Sequence, residues 1–131
     1  MLKISDKELA QIGRKDAITR YEYFIKKVAD QQEICILRDS GGDYYLDVVD
    51  NEKFIHMWCS TEYATNFIKN KEVNHKPVTI DFDFLRYKLC PMIKEKEITL
   101  SIMPSKEHTG YCIHLDKFIH DLKHYLDEWY S

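Results

Sequence analysis

Glycine and proline are scarce in this sequence, four and three among 131 residues, and no segment is of low complexity. That scarcity excludes collagen-like repeats and argues against disorder, which needs a chain poor in apolar groups. No window approaches the ~18 consecutive apolar residues of a membrane span. The opening stretch, "MLKISDKELAQIGRKD", carries a charge every few residues, so neither a secretion signal nor an anchor is expected there. The cysteines (Cys35, Cys59, Cys90, Cys112) lie far apart, without a CxxC pair. With no secretion signal they read as reduced, mostly buried side chains of a cytoplasmic protein. A net charge of −3 gives no broad pull toward nucleic acid or an anionic membrane, so neither is expected as a partner. The basic stretch "KNKEVNHK" (69–76) reads as a solvated loop. GxGxxG, Walker and GxSxG motifs are all missing, and "SGG" at 40–42 is too short to cradle a phosphate.

What is present is apolar, aromatic and charged: 44% hydrophobic and 31% charged residues, with nine tyrosines. A chain of this length fits one domain, 1–131, that buries roughly two-thirds of its unfolded surface without staples. Ser5 with Glu8 suggests a short capped turn. Ala17, Tyr21, Phe24 and Val28, widened by Ile18 and Ile25, then mark one face of a helix within 14–31. The period next changes to strands at 33–39, 44–49 and 53–58, linked by "SGGD" and "DNE" turns.

Ser60 or Thr61 caps a second helix, and Pro77 leads into a fourth strand. Asp81 or Asp83 caps the next helix, which Pro91 should kink or end. Strands at 98–103 and 111–115 precede a last helix carrying Leu115, Phe118, Ile119, Leu122, Leu126 and Trp129 on one stripe. The expected fold is α+β: a single mixed, mainly antiparallel sheet of about six strands, in the order α-β-β-β-α-β-α-β-β-α.

The densest cluster of reactive side chains is "HMWCSTEYA", 56–64. Cys59 at a helix start could be a stabilised thiolate, with His56 or His114 as its base. Against this, His56 lies at an odd spacing from Cys59 on a strand, and neighbours in sequence rarely supply a nucleophile with its base. Ser60 and Glu62 are also what a helix N-terminus selects. His120 and His124 have a zinc-like i, i+4 spacing but face away from the apolar stripe, with no third ligand near. No metal and no cofactor are expected. The surplus of tyrosine and tryptophan suggests a binding surface for another protein.

The run "RYEYFIKKVADQQEICILRDSGGDYYL…KFIHMWCSTEYATNF…PVTIDFDFLRYKLCPMI…ITLSIMPS…GYCIHLDKFIHDL" resembles the small bacterial proteins of the domain of unknown function 2750 family, over about 20–122. Its second half is similar to the N-terminal domain of the enhanced-serine-sensitivity proteins, where a strand enters a helix through W/F-T/S-x-E-x-A. Trp58, Ser60, Glu62 and Ala64 fit that junction, and Pro104 and Leu115 fit later landmarks. Cys35 stands where the family often has an aromatic, and His56 or Met57 where proline is common. Both departures argue against Cys35 or Cys59 as required catalytic groups.

The resemblance implies a fold and brings no catalytic residue. Trp58, Cys59, Ser60, Glu62 and Tyr63 are the candidate surface or pocket residues. The leading expectation is a non-enzymatic regulatory module, monomer or homodimer, that binds a protein partner, for instance as an immunity-type protein. The alternatives are a small-ligand sensor and a cysteine enzyme using Cys59.

Overall fold

A computed structural model describes residues 4–69, 71, 73–106 and 108–130, with side chains through 126. Two helices open the chain. In α1 (Asp6–Gly13) the Ser5 hydroxyl accepts from the Glu8 N–H at 3.1 Å. α2 (Ala17–Gln31) is capped by Asp16, whose carboxylate accepts from the Thr19 N–H at 2.9 Å, and ends on Gln32 at a left-handed φ of 56°. Its expected face is buried, with Phe24 and Val28 fully enclosed; Ile25 joins it. Ile18 does not, being 51% exposed.

The β-structure forms two sheets where one was expected. β1 (Glu33–Arg38) and β4 (Lys76–Asp81) make an antiparallel pair. β2 (Leu46–Val49), β3 (Glu52–Met57), β5 (Thr99–Ile102) and β6 (Tyr111–Ile113) form the other sheet, in the order β2-β3-β5-β6. β3 and β5 run parallel there, and the other two pairings are antiparallel.

The reason lies in the connection between β1 and β2. Asp39 closes it as a loop: its carboxylate accepts from the Gly41 and Asp43 N–H groups at 2.9 and 2.8 Å, and its own N–H donates to the Asp43 carbonyl. Only Gly42 of the two glycines has a positive φ. Tyr44 then makes a single bridge to Arg38, and from Leu46 onward the chain pairs with β3 instead of β1. Between β2 and β3 lies a two-residue hairpin in which Asp50 and Asn51 both have positive φ, 50° and 68°, the signature of a type I′ turn.

The sheets are bridged at two places: at Arg38 and Tyr44, where the Tyr45 N–H also donates to the Leu37 carbonyl at 3.1 Å, and at Cys35 and Trp58. The Cys35 N–H donates to the Trp58 carbonyl at 2.8 Å, and the Trp58 N–H donates to the Cys35 carbonyl at 3.0 Å.

α3 (Thr61–Ile68) starts on Ser60, and β4 follows with Pro77 inside it, acceptable because β4 pairs only with β1. α4 (Phe82–Phe84) begins on the Asp81 carboxylate, which accepts from the Phe84 N–H at 2.8 Å. It passes through a π turn (Leu85–Leu89) into α5 (Cys90–Lys96). Pro91 therefore does not end this helix. Proline lacks an N–H and its ring collides with the carbonyl one turn back, and the wider π turn lies where that conflict would fall.

α6 (Leu115–Tyr130) buries Leu115, Phe118 and Leu122, while His120 and His124 are exposed. The Trp129 side chain lies outside the described residues. α2 packs against α6, with the Phe24 and Phe118 rings 6.0 Å apart. α2 also touches β1, β5 and β6, so the core lies between these helices and the sheets. Among the described residues no helix is long and apolar enough to cross a membrane.

The Trp58 indole is fully buried, and its Nε1–H donates to the Pro104 carbonyl at 2.9 Å. Trp58→Phe should therefore cost about 2–4 kcal/mol, from lost volume and an unpaired buried carbonyl. Urea denaturation measures this, and a loss below about 1 kcal/mol would mean that the bond constrains little.

Candidate functional site

Alternation along β3 puts Phe54, His56 and Trp58 on the same side of the strand. On β2, Asp47 pairs with Phe54; on β5, Ser101 lies opposite His56; on β6, Cys112 lies opposite Ser101. These positions floor a cleft of about 450 Å³. Phe67 of α3 and Lys71 just beyond it form one wall, and the loop from Pro104 to Gly110 forms the other.

His56 is the polar centre of the cleft. It is 8% exposed, and its Nε2 lies 2.6 Å from Asp47 Oδ2. An ionised carboxylate can only accept, so Nε2 carries the proton and Nδ1 holds a lone pair. That Nδ1 is buried and has no hydrogen-bond partner among the described residues. The rings of Tyr45, Trp58 and Phe67 surround the imidazole at centroid distances of 6.0, 5.9 and 5.0 Å. Burial pushes the His56 pKa below its ordinary 6.5; nearby Lys71 pushes the same way, and Asp47 opposes both. The imidazole is thus neutral at neutral pH. Lys71 Nζ sits 3.9 Å from the Phe67 ring centroid, held over the aromatic face at the cleft's edge.

The outer wall is tied to the scaffold from behind. Arg20 of α2 is 3% exposed, and its Nη2 donates to the Thr109 carbonyl at 2.6 Å. Burial lowers the guanidinium pKa, and Asp16 partly offsets this. Next to it, the Tyr21 ring stacks on Tyr111 at 4.7 Å, and its hydroxyl donates to Asp121 at 2.6 Å. Within the loop, the Ser105 N–H donates to the His108 carbonyl and the His108 N–H to the Ser105 hydroxyl, at 2.9 and 3.1 Å. Gly110 closes it under tight constraint. A Cβ there would stand 2.3 Å from Ser101 Oγ and 3.0 Å from the Ile102 backbone.

None of the five residues singled out in the sequence lines this cleft. Trp58 lies beneath it, packed on His56 and Phe67. Cys59 is 1% exposed and burial drives its pKa up, so the thiol stays protonated at the helix start. Cys35 is likewise buried, its pKa pushed up to about 12. Ser60 caps α3 by accepting from the Glu62 N–H at 3.2 Å, and its hydroxyl donates to the Glu62 carboxylate. The Tyr63 hydroxyl donates to Tyr23 at 2.9 Å, and Tyr23 donates to Glu8 at 2.7 Å, a half-buried chain that ties α3 to α1 and α2. His114 is exposed beyond β6.

The cleft's own polar residues, Asp47, Lys71, Lys106 and His108, come from a strand and two loops, and sequence spacing gave no sign of them. The one available hint was that both "KNKEVNHK" and "PSKEHTG" carry cations on connections to strands; Asn70, Glu72 and Glu107 of these lie outside the described residues. Among the described residues no group of three or more His, Cys, Asp or Glu side chains could hold a metal ion.

Two outcomes follow. The unfolded chain, with a histidine pKa near 6.5, binds more protons than the folded one just below that pH. Stability contributed by neutral His56 is therefore full above 6.5 and lost as pH falls through the folded pKa. His56→Gln should flatten the stability slope that urea denaturation measures between about pH 5 and 7. Gly110→Ala should destabilise by about 1–3 kcal/mol through overpacking. Adding Ser101→Ala should restore part of this, because only the contact with Oγ is relieved.

No curated protein matches this chain. The family model described as protein of unknown function, DUF2750, matches residues 21–122, from the second turn of α2 to the buried stretch of α6. It spans the Trp58 junction, the cleft and its closing loop, and the comparisons do not show the expected likeness to enhanced-serine-sensitivity proteins. The chain belongs to the DUF2750 family.

Proposed function

We propose that this protein is a non-enzymatic regulatory module that senses a small anionic ligand in the His56 cleft. The observation that carries this reading is the rim of Lys71, Lys106 and His108 around a cleft walled by Phe54 and Phe67; the lone pair on the buried His56 Nδ1 can only accept, so it calls for a donor on the ligand besides its anionic group. A volume of about 450 Å³ falls within the range of small-molecule sites. Phe54, Phe67, Val49 and Pro104 supply apolar walls, so the ligand class is a carboxylate or phosphate monoester on a flat apolar body. A ligand that also donates a hydrogen bond would satisfy His56 after a small shift of the rings that cover it.

The non-enzymatic part of the reading rests on the thiols. A nucleophilic cysteine needs its thiolate, and the surroundings of Cys59 and Cys35 disfavour it. A protein partner, the first expectation from the sequence, draws less support from this side of the molecule. Among the described residues, the exposed large apolar side chains are spread over three elements: Ile18 on α2, Val48 and Val49 on β2, and Tyr87 in the π turn.

Titration with phenyl phosphate or benzoate, followed by amide chemical shifts, tests the reading. Shifts should concentrate at His56, Phe67 and 105–110, and benzylamine should give none of them. Lys71→Glu combined with Lys106→Glu should weaken binding at least about tenfold, the equivalent of 1.4 kcal/mol. Equal response to benzylamine, or no response to either anion, would sink the proposal.

A further inference from the structure

A second cleft, about 510 Å³, lies between the continuous α4–π–α5 helix and α6. Its floor is made by Leu85, Leu115 and Leu122, all buried, and its walls by Phe82, Ile119 and Leu126, all half-buried. Arg86, Lys94 and Lys123 stand exposed around it, against one carboxylate, Asp116. None of the three cations forms an ion pair with a described residue, whereas nearby Lys117 is paired with Asp121 at 2.8 Å. The chain as a whole carries −3, so this rim has the opposite sign to the molecule.

We infer that this groove docks an acidic amphipathic helix of a partner protein. The apolar floor calls for an apolar stripe, and the rim calls for carboxylates beside it. The spread of the cations decides between a peptide and a single acid headgroup. Arg86 and Lys94 are eight residues apart on one helical run, about 12 Å at 1.5 Å per residue. One carboxylate meets only one of them; carboxylates distributed along a helix meet both. Lys123 on α6 offers a contact on the opposite bank. Tyr87, 65% exposed, lies with its ring 5.8 Å from the Arg86 guanidinium, and an arginine beside an exposed tyrosine is the pairing that protein interfaces favour. This surface is separate from the His56 cleft, and its occupant does not depend on the ligand proposed there.

The test uses the whole chain and two fluorescein-labelled peptides of about 18 residues, with leucines at i, i+3, i+4 and i+7. One carries glutamates flanking the leucines, the other lysines at the same positions. Fluorescence anisotropy should show the acidic peptide binding at least about tenfold more tightly. Amide shifts on binding should map to 85–94 and 115–126. The double charge reversal Arg86→Glu with Lys94→Glu touches only exposed side chains, so the fold, checked by circular dichroism, should persist. That variant should lose the acidic peptide and prefer the basic one. An acidic peptide no tighter than the basic one would overturn the inference, as would an unchanged affinity in the variant. Displacement of the acidic peptide by equimolar dodecanoate would also overturn it, and would mark the groove as a fatty-acid site.

Discussion

The arrangement hangs on the position of Trp58. Its backbone makes both hydrogen bonds of the bridge to Cys35, one of the two bridges that join the sheets. Its indole N–H holds the Pro104 carbonyl, the first residue of the loop that walls the cleft. Its ring packs on His56 and Phe67, the cleft's polar centre and its aromatic wall. A fully buried indole needs a partner for its N–H, since an unpaired buried donor costs about 1–3 kcal/mol. Pro104 therefore cannot move without leaving that donor stranded. The neighbouring backbone bond, Met103 N–H to the Met57 carbonyl at 2.8 Å, carries the parallel β3–β5 pairing up to the same point. Met103 takes a left-handed φ of 56° there, an uncommon conformation for a side-chain-bearing residue, and the packing around it overdetermines that turn.

From that point the cleft is built by ties of different chemistry on its two sides. The loop wall depends on Arg20, a buried cation that reaches across from α2, and on Gly110, where no side chain fits. The other wall follows from α3, whose direction is set by the Ser60 cap one residue after Cys59. The reactive-looking junction and the cleft are therefore related as support and site. Residues 58–63 fix where the helix starts, and the helix then presents Phe67, with Lys71 following, to the imidazole. The imidazole is held there by its contact with Asp47, among the rings of Tyr45, Trp58 and Phe67, and its Nδ1 has no partner among the described residues.

Much of the secondary structure was legible from periodicity, because the longer helices α2 and α6 bury one face and the strands are set off by their own turn chemistry. Phe24, Val28, Phe118 and Leu122 fall where a period near 3.6 places them, and Ser60 and Asp81 cap the helices that follow them. Tertiary choices were less legible. The single sheet failed on Asp39, whose carboxylate closes a loop that reads in sequence as a tight hairpin. Of the two outcomes expected at Pro91, a kink or an end, the helix does not end there: a π turn, a backbone adjustment with no residue signature of its own, precedes it. The cleft was the least legible part. Asp47, Lys71, Lys106 and His108 come together only through the register of β2 on β3 and the parallel pairing of β3 with β5, and a linear pattern carries neither. Cys59 has neighbours that are reactive by type; burial, which decides reactivity, is a property of the fold.

If Trp58 is the common tie, the two sheets cannot open separately. Native-state hydrogen exchange measures this at the amides of Cys35, Trp58 and Met103. All three should exchange only through global unfolding, with the same free energy as the core amides of Phe24 and Val28 in α2. Exchange of the Cys35 and Trp58 amides at a clearly lower free energy than the β3–β5 amides would show that the sheets separate independently, and would contradict the account.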